Sequence, residues 1–146
     1  MSDLINLYQE LIMDHGRSPR FHFKPDFFSH EEEGFNPFCG DKVHLYAQVH
    51  DDVVEKISFQ GCGCAISMAS TSLMLESSQK KSLDDLKLLF KKFHDFMMGD
   101  ITTEDKQLLG KLEIFQGVKN YPTRVKCATL PWHTLEALLK KIDIKE

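Results

Sequence analysis

Length, composition and charge limit what this chain can be. Its 146 residues are the usual size of one domain with one core, and we expect residues 1–146 to form a single domain. A net charge of -4 gives no electrostatic reason to expect nucleic acid as a partner. No apolar run approaches the ~20 residues of a membrane span, and no signal peptide is recognisable. The expected location is cytoplasmic.

An amphipathic helix is predicted at the start of the chain, from Asp3 to His15. Apolar side chains recur there at the spacing of one helix face, after a Ser2/Asp3 cap; they are Leu4, Leu7, Leu11 and Ile12. The next stretch, from Gly16 to Asn36, is interrupted by prolines and a glycine, which predicts a polar loop. Four phenylalanines are expected to hold this loop on the domain: Phe21, Phe23, Phe27 and Phe28.

A β-hairpin is predicted after this loop. Apolar and polar residues alternate from Val43 to Val49, which is the pattern of a half-buried strand. The pair Asp51-Asp52 predicts a turn, and a second strand is expected near Val53 to Phe59. Because an isolated hairpin is marginally stable at best, helices are expected to pack on it.

Helices are predicted for most of the second half. A helix rich in small residues is expected from Ala65 to about Ser78. Ser82 and Asp85 resemble a capping box, and the apolar stripe that follows predicts a helix that ends near Met98. Two short helices are expected around residues 103–109 and 112–116.

The last helix is predicted to begin at Pro122, because proline is favoured at the first helical position. Pro131 conflicts with the rest of the pattern. Inside a helix it removes one hydrogen bond, so we expect it to kink or interrupt this helix. Together these elements predict the α+β class, with a small antiparallel sheet packed against several helices.

Three segments contain the four cysteines, which in the cytoplasm are not expected to form structural disulfides. Cys39 and Asp41 are separated by one glycine, so a thiolate and a carboxylate can turn toward one point. Such donors suit zinc or iron. Alone, the same residues also fit an ordinary turn.

The other two cysteine segments flank predicted helices. Cys62 and Cys64 lie where a strand passes into a helix, and the helix N-terminus stabilises a thiolate there. Cys127 follows Arg124 by three residues, which predicts a shared helix face and a guanidinium able to hold a thiolate or bind a persulfide. Packed cysteines in a turn, and a half-buried helical cysteine beside solvated bases, remain alternatives.

Combined, these segments resemble the NifU/IscU N-terminal family, and most closely its SufU branch. The resemblance covers nearly the whole chain. The matching stretches are Leu7-Tyr8, Ile12-Met13-Asp14-His15, Pro19-Arg20, Asn36-Pro37-Phe38-Cys39-Gly40-Asp41, Cys64-Ala65-Ile66-Ser67-Met68-Ala69-Ser70, Arg124-Val125-Lys126-Cys127-Ala128-Thr129-Leu130 and Trp132. It implies a NifU/IscU-like (SufU-like) fold with one metal centre.

The resemblance also implies a ligand set and a role. The metal or cluster ligands are Cys39, Asp41, Cys64 and Cys127, although the IscU-like pattern Gly-Cys-Gly matches Cys62 instead of Cys64. Lys126 stands where IscU-like scaffolds have a histidine before the last cysteine, and the segment between Cys64 and Cys127 is long. Both departures favour the SufU branch, whose members are zinc-dependent sulfur acceptors.

The function implied is that of an iron–sulfur cluster assembly protein, a sulfurtransferase-type persulfide acceptor and not a stand-alone enzyme. Cys39 is the expected acceptor and Arg124 a possible thiolate stabiliser, with zinc as cofactor. The expected partners are a SufS-like cysteine desulfurase and downstream iron–sulfur assembly proteins. A scaffold that holds iron or an iron–sulfur cluster on the same ligands is the alternative, and a purely structural zinc module stays open.

The histidines are not expected to bind metal. His15 fits a role at the end of its helix, and the other six have no ligand-like spacing with one another. They are predicted to be structural or exposed. Trp132 is expected in the core or on a partner surface.

Overall fold

The computed structural model of the chain describes residues 2–37, 39–99 and 101–144, and the side chains of 6–37, 39–99 and 101–143. Three features of the sequence analysis lie outside this description: Phe38 of the predicted metal motif, the Ser2/Asp3 cap and the side chain of Leu4. The helices are α1 (Ser2–Arg17), α2 (Ala65–Ser78), α3 (Leu83–Met98), α4 (Thr103–Leu109), the 3-10 helix (Gly110–Val118) and α5 (Pro122–Ile144). The strands are β1 (His30–Asn36), β2 (Asp41–His50), β3 (Val53–Cys62) and β4 (Lys81–Ser82).

The four strands form one antiparallel sheet in the order β1-β2-β3-β4. The predicted hairpin is its centre, with Leu45 opposite Phe59. Asp51 and Asp52 make the tight turn with φ angles of 51° and 62°, because two-residue hairpins favour left-handed residues of this type. The α+β prediction is confirmed. Within the described residues, no helix is long and apolar enough to cross a membrane.

Strand β1 corrects the prediction of a loop from Gly16 to Asn36. Its sequence includes Glu31, Glu32 and Glu33, so it lacks the apolar alternation by which strands are recognised. It forms because β2 offers a complete antiparallel partner and α5 packs across it. A β-carbon on Gly34 would collide with the Thr134 hydroxyl, so glycine permits this close approach of helix to strand.

Only two of the four phenylalanines that are expected to hold the loop before β1 on the domain do so. Phe21 and Phe28 are half-buried, and the Phe28 ring lies 5.0 Å from that of Tyr46. Phe23 and Phe27 are 53% and 82% exposed, so the expectation that all four phenylalanines hold the loop is wrong. Two anchors suffice because backbone bonds also fix the loop, including one from the Phe59 amide to the Phe21 carbonyl.

Helix α2 occupies the centre of the molecule, within the predicted bounds. It contacts α1, α5, β3 and the 3-10 helix, and every residue from 67 to 75 is buried. Its hydroxyl groups join neighbouring elements: the Ser72 hydroxyl accepts the Arg20 amide and lies 2.7 Å from His15 Nδ1. His15 is buried, and burial, reinforced by Arg20, lowers its pKa. Its role is structural, as expected.

The helices after α2 follow the predictions with small changes. Ser82 caps α3 by accepting the Asp85 amide, and α4 spans the predicted residues. The second short helix is longer than expected and has 3-10 geometry from Gly110 to Val118. The two-residue strand β4 was not predicted, since it is too short to show a pattern.

Pro131 does not interrupt α5, so that part of the prediction is wrong. The helix runs from Pro122 to Ile144 with the buried proline inside it. Tertiary contacts around the proline stabilise the helix: the Ser70 hydroxyl donates to the Ala128 carbonyl, and the Trp132 indole donates to Ser70 at 3.1 Å. Trp132 is a core residue, 1% exposed.

Candidate metal centre

Three elements meet at one end of the sheet and bring the predicted ligands together. Cys39 and Asp41 lie on the turn into β2, Cys64 directly precedes α2, and Cys127 lies in the second turn of α5. Each of Cys39, Asp41 and Cys127 offers one ligand atom, and these three atoms lie within 4.8 Å of one another. The sulfur atoms of Cys39 and Cys127 are 3.5 Å apart. These three residues form a compact sulfur–oxygen cluster.

Two glycines make this approach possible. Gly40 has a φ of +73°, the left-handed region, which lets the chain reverse between Cys39 and Asp41. A β-carbon on Gly63 would collide with the Asp41 carboxylate and the Ser67 hydroxyl. The spacing of cysteines and glycines in the sequence is therefore required by the packing of β2 against the start of α2.

Asp41 shows most directly that the cluster fits a metal ion. The residue is 0% exposed, and its Oδ1 accepts the Cys64 amide at 3.0 Å. Its Oδ2 is buried and has no hydrogen-bond partner among the described residues. A buried polar atom left in this way costs about 1–3 kcal/mol, so it needs a reason. A metal ion bound beside two thiols supplies one, and the donor set suits zinc or iron.

Cys127 is the most buried of the sulfur ligands, at 2% exposure. Burial raises the pKa of its thiol, and the neighbouring Asp41, Cys39 and Cys64 side chains raise it further. Without a cation, the pocket therefore holds Cys127 as the neutral thiol. A metal ion reverses this preference, because ligation requires the thiolate and releases the proton.

The structure places the two cysteines of the second segment differently. Cys64 is half-buried and close enough to Cys127 to affect the pKa of that thiol. Its sulfur accepts the Ser67 amide at 3.5 Å, as the cap of α2, and is not part of the cluster of three. Cys62 is exposed at the end of β3, opposite Lys42. The geometry therefore favours Cys64 over Cys62 as a fourth ligand, after a rotation of its side chain.

Arg124 is not in contact with the cluster. It is exposed in the first turn of α5, and its side chain makes no hydrogen bond or ion pair within the described part of the chain. Arg124 and Cys127 both lie in α5 with the expected three-residue spacing, and the Cys127 sulfur is directed at the cluster, 3.5 Å from that of Cys39. The role of Arg124 as a thiolate stabiliser stays a prediction.

Comparisons with known proteins agree with this geometry. The profile of the NifU-like N terminal domain matches residues 7–128. The iron–sulfur cluster assembly scaffold protein IscU of Thermotoga maritima is 40% identical over 94% of this chain and 95% of its own length. The zinc-dependent sulfurtransferase SufU of Bacillus subtilis is 39% identical over 92% of this chain and 90% of its own.

A solved structure extends the comparison to the fold. The crystal structure of FiSufU from Fervidobacterium islandicum, described as an iron–sulfur cluster assembly scaffold protein for the SUF system, superposes with a TM-score of 0.83 at 40% sequence identity. The match covers 89% of this chain and 94% of the other. On the combined evidence of sequence, fold and cluster, the chain belongs to the NifU-like N-terminal domain family.

Proposed function

We propose that this protein is a zinc-dependent sulfurtransferase of iron–sulfur cluster assembly, which accepts persulfide sulfur from a SufS-like cysteine desulfurase in the cytoplasm. The observation that carries the proposal is the asymmetry of the cluster. Asp41 and Cys127 are buried, with one carboxylate oxygen unpartnered, whereas Cys39 is exposed on a glycine-containing turn. Two donors can therefore hold an ion while the third meets a partner protein.

Four residues would hold the zinc: Cys39, Asp41, Cys64 and Cys127. When bound, zinc supplies positive charge that keeps these thiols deprotonated at neutral pH. Cys64 would exchange its weak capping bond to the Ser67 amide for the metal. The carboxylate of Asp41 is oriented for this role by the Cys64 amide, which fixes its other oxygen.

Cys39 is the proposed acceptor because it is the exposed thiol of the cluster, where the donor's persulfide can reach it. Its thiolate attacks the terminal sulfur of a cysteine persulfide on the desulfurase. A new sulfur–sulfur bond forms on Cys39, the sulfur–sulfur bond of the donor breaks, and the donor cysteine leaves as a thiolate. The exposed guanidinium of Arg124 would attract the anionic persulfide as it approaches. Downstream iron–sulfur assembly proteins would then receive the sulfur.

A scaffold that assembles an iron–sulfur cluster on the same residues is the second candidate. The observation that favours it is the similarity to the Thermotoga maritima IscU, which is as high as that to the Bacillus subtilis SufU. The two candidates differ in what happens to the metal. A sulfurtransferase keeps its zinc through turnover, whereas a scaffold exchanges it for iron and sulfide.

The test is anaerobic incubation of the zinc-loaded protein with ferrous iron, cysteine and a desulfurase. We expect about one zinc per chain to remain, cysteine turnover to rise, and the mass of one sulfur atom to appear on Cys39. Cys39→Ala should abolish acceptance. Cys62→Ala is the matched control, because Cys62 is exposed but lies outside the cluster, and it should behave like the unaltered chain. Stoichiometric replacement of zinc by iron and sulfide would establish the scaffold instead.

A further inference from the structure

Two histidines that are distant in sequence meet on the outer face of α3 and α5. The rings of His94 and His133 have centroids 5.8 Å apart and stand nearly perpendicular, at 73°. They line a surface cavity of about 600 Å³ that also contains Asp95 and Glu136. None of these residues belongs to the cysteine cluster.

We propose that His94 and His133 form a second metal site, for a divalent transition-metal ion of the zinc class, with Glu136 as its carboxylate ligand. The distance between the rings suits this role. Two imidazoles on one zinc, each with a Zn–N bond of about 2.1 Å, have centroids roughly 5–6 Å apart. The site needs a rotation of the Glu136 side chain to add its oxygen, and water can complete the coordination.

The positions of both imidazoles are fixed by the core beneath them. Phe93 and Trp132, each one residue before a histidine, are fully buried and stack at 4.4 Å with an angle of 18° between the rings. This stacked pair sets the register of α3 against α5. His94 and His133 therefore reach the surface side by side. Because the fold already holds the two ligands together, most of the conformational entropy that metal binding would otherwise cost has been lost on folding.

The surroundings favour a neutral, nitrogen-donating ring at His133. Phe90 stacks on His94 at 5.8 Å and meets the edge of His133 at 6.0 Å, forming an apolar wall. Burial lowers the pKa of His133, and the nearby His94 lowers it further. A neutral imidazole has a free lone pair at neutral pH, which is the form that binds a metal.

The charges around the cavity do not repel a cation on balance. Three lysines and three carboxylates line it: Lys87, Lys91, Lys140, Asp95, Glu136 and Asp143. Lys87 is neutralised by Asp143 at 2.7 Å. Asp95 lies 3.9 Å from His94 Nδ1, and Glu136 follows His133 by three residues in α5, so a carboxylate is available beside each ring. The long lysine side chains can turn outward to water.

Zinc titration of the full chain tests the proposal, starting from protein whose cysteine centre is already loaded. We expect calorimetry to record a second bound equivalent, and the imidazole signals of His94 and His133 to shift in the NMR spectrum as it binds. His94→Gln or His133→Gln should weaken this second event by at least about tenfold, because each removes one of two nitrogen ligands. Glu136→Gln should weaken it less.

His50→Gln is the matched control, since His50 is an exposed histidine beside an aspartate on the β2–β3 turn. It should leave the second event unchanged. The proposal is overturned if the loaded protein binds no second zinc. It is equally overturned if a second zinc binds with the same affinity after both His94 and His133 are replaced. Zinc retention by the cysteine centre, measured in the same samples, reports separately on the proposed function.

Discussion

Replacing Asp41 by asparagine distinguishes two roles of this side chain, that of a metal ligand and that of a structural hydrogen-bond acceptor. Asparagine has the same shape and keeps an oxygen that can accept the Cys64 amide at 3.0 Å. It removes the formal charge and the oxygen that has no partner among the described residues. The change therefore acts mainly on the atom that we assign to the metal.

The expected effect has opposite signs with and without zinc. In the metal-free protein, asparagine places a neutral NH2 group where the unpartnered carboxylate oxygen lies, and burying a neutral polar group costs less than burying a charged one, so Asp41→Asn should leave the free energy of unfolding unchanged or raise it. Zinc at about 100 times its dissociation constant should stabilise the unaltered chain by about 2.7 kcal/mol. In the variant, this increment should fall by at least about 1.4 kcal/mol, which corresponds to tenfold weaker binding.

Urea unfolding with a chelator and with saturating zinc measures both quantities in one series. Asp26→Asn is the control, because Asp26 is exposed and should change neither value. The reasoning is refuted if Asp41→Asn destabilises the metal-free protein by more than about 1 kcal/mol and leaves the zinc increment intact. That result would make the carboxylate a structural group of the turn.

Three further predictions concern the frame that holds the centre. The pKa of buried His15 is lowered, so the unfolded chain binds a proton more readily than the folded protein does. Stability should therefore fall as the pH drops below about 6.5. His15→Asn should flatten this part of the profile of urea midpoint against pH. Gly34→Ala should destabilise by about 1–3 kcal/mol through its collision with Thr134, and adding Thr134→Ala should restore most of the loss in thermal unfolding. Ser70→Ala should cost about 1–3 kcal/mol by calorimetry, because the Trp132 indole loses its acceptor.

Local patterns predicted the elements whose signals are strong. The hairpin turn at Asp51-Asp52, helix α2 and the Ser82 cap all lie where the sequence places them. In each case the deciding interaction is between residues close in the chain. Periodicity, turn chemistry and capping are sufficient there, because they report local energies.

Elements that depend on distant partners were missed or misjudged. Strand β1 has no apolar alternation, and its pairing with β2 decides its conformation. The continuity of α5 through Pro131 is accompanied by a contact between distant residues, in which the Ser70 hydroxyl donates to the Ala128 carbonyl 58 positions later. Neither partner is visible from the local sequence.

The candidate site was likewise predictable from the sequence only in part. Motif resemblance named Cys39, Asp41, Cys64 and Cys127, with Cys62 as the alternative to Cys64, and the fold brings Cys39, Asp41 and Cys127 together. The hydrogen bond from the Cys64 amide to Asp41 joins residues 23 positions apart, so no local pattern predicts it. The proximity of His94 and His133 had no signal at all, because it arises from the stacked rings of the residues before them.

The acidic strand β1 also affects how the protein behaves when it is concentrated. As a terminal strand of the sheet, it presents backbone groups with which a strand of another molecule could pair. Its three consecutive glutamates repel an identical strand, and the Lys141 ammonium occupies the Glu31 carbonyl at 3.0 Å. The polar sequence of β1 is the reason that no strand was predicted there. The same polarity protects β1 from aggregation through edge-to-edge pairing.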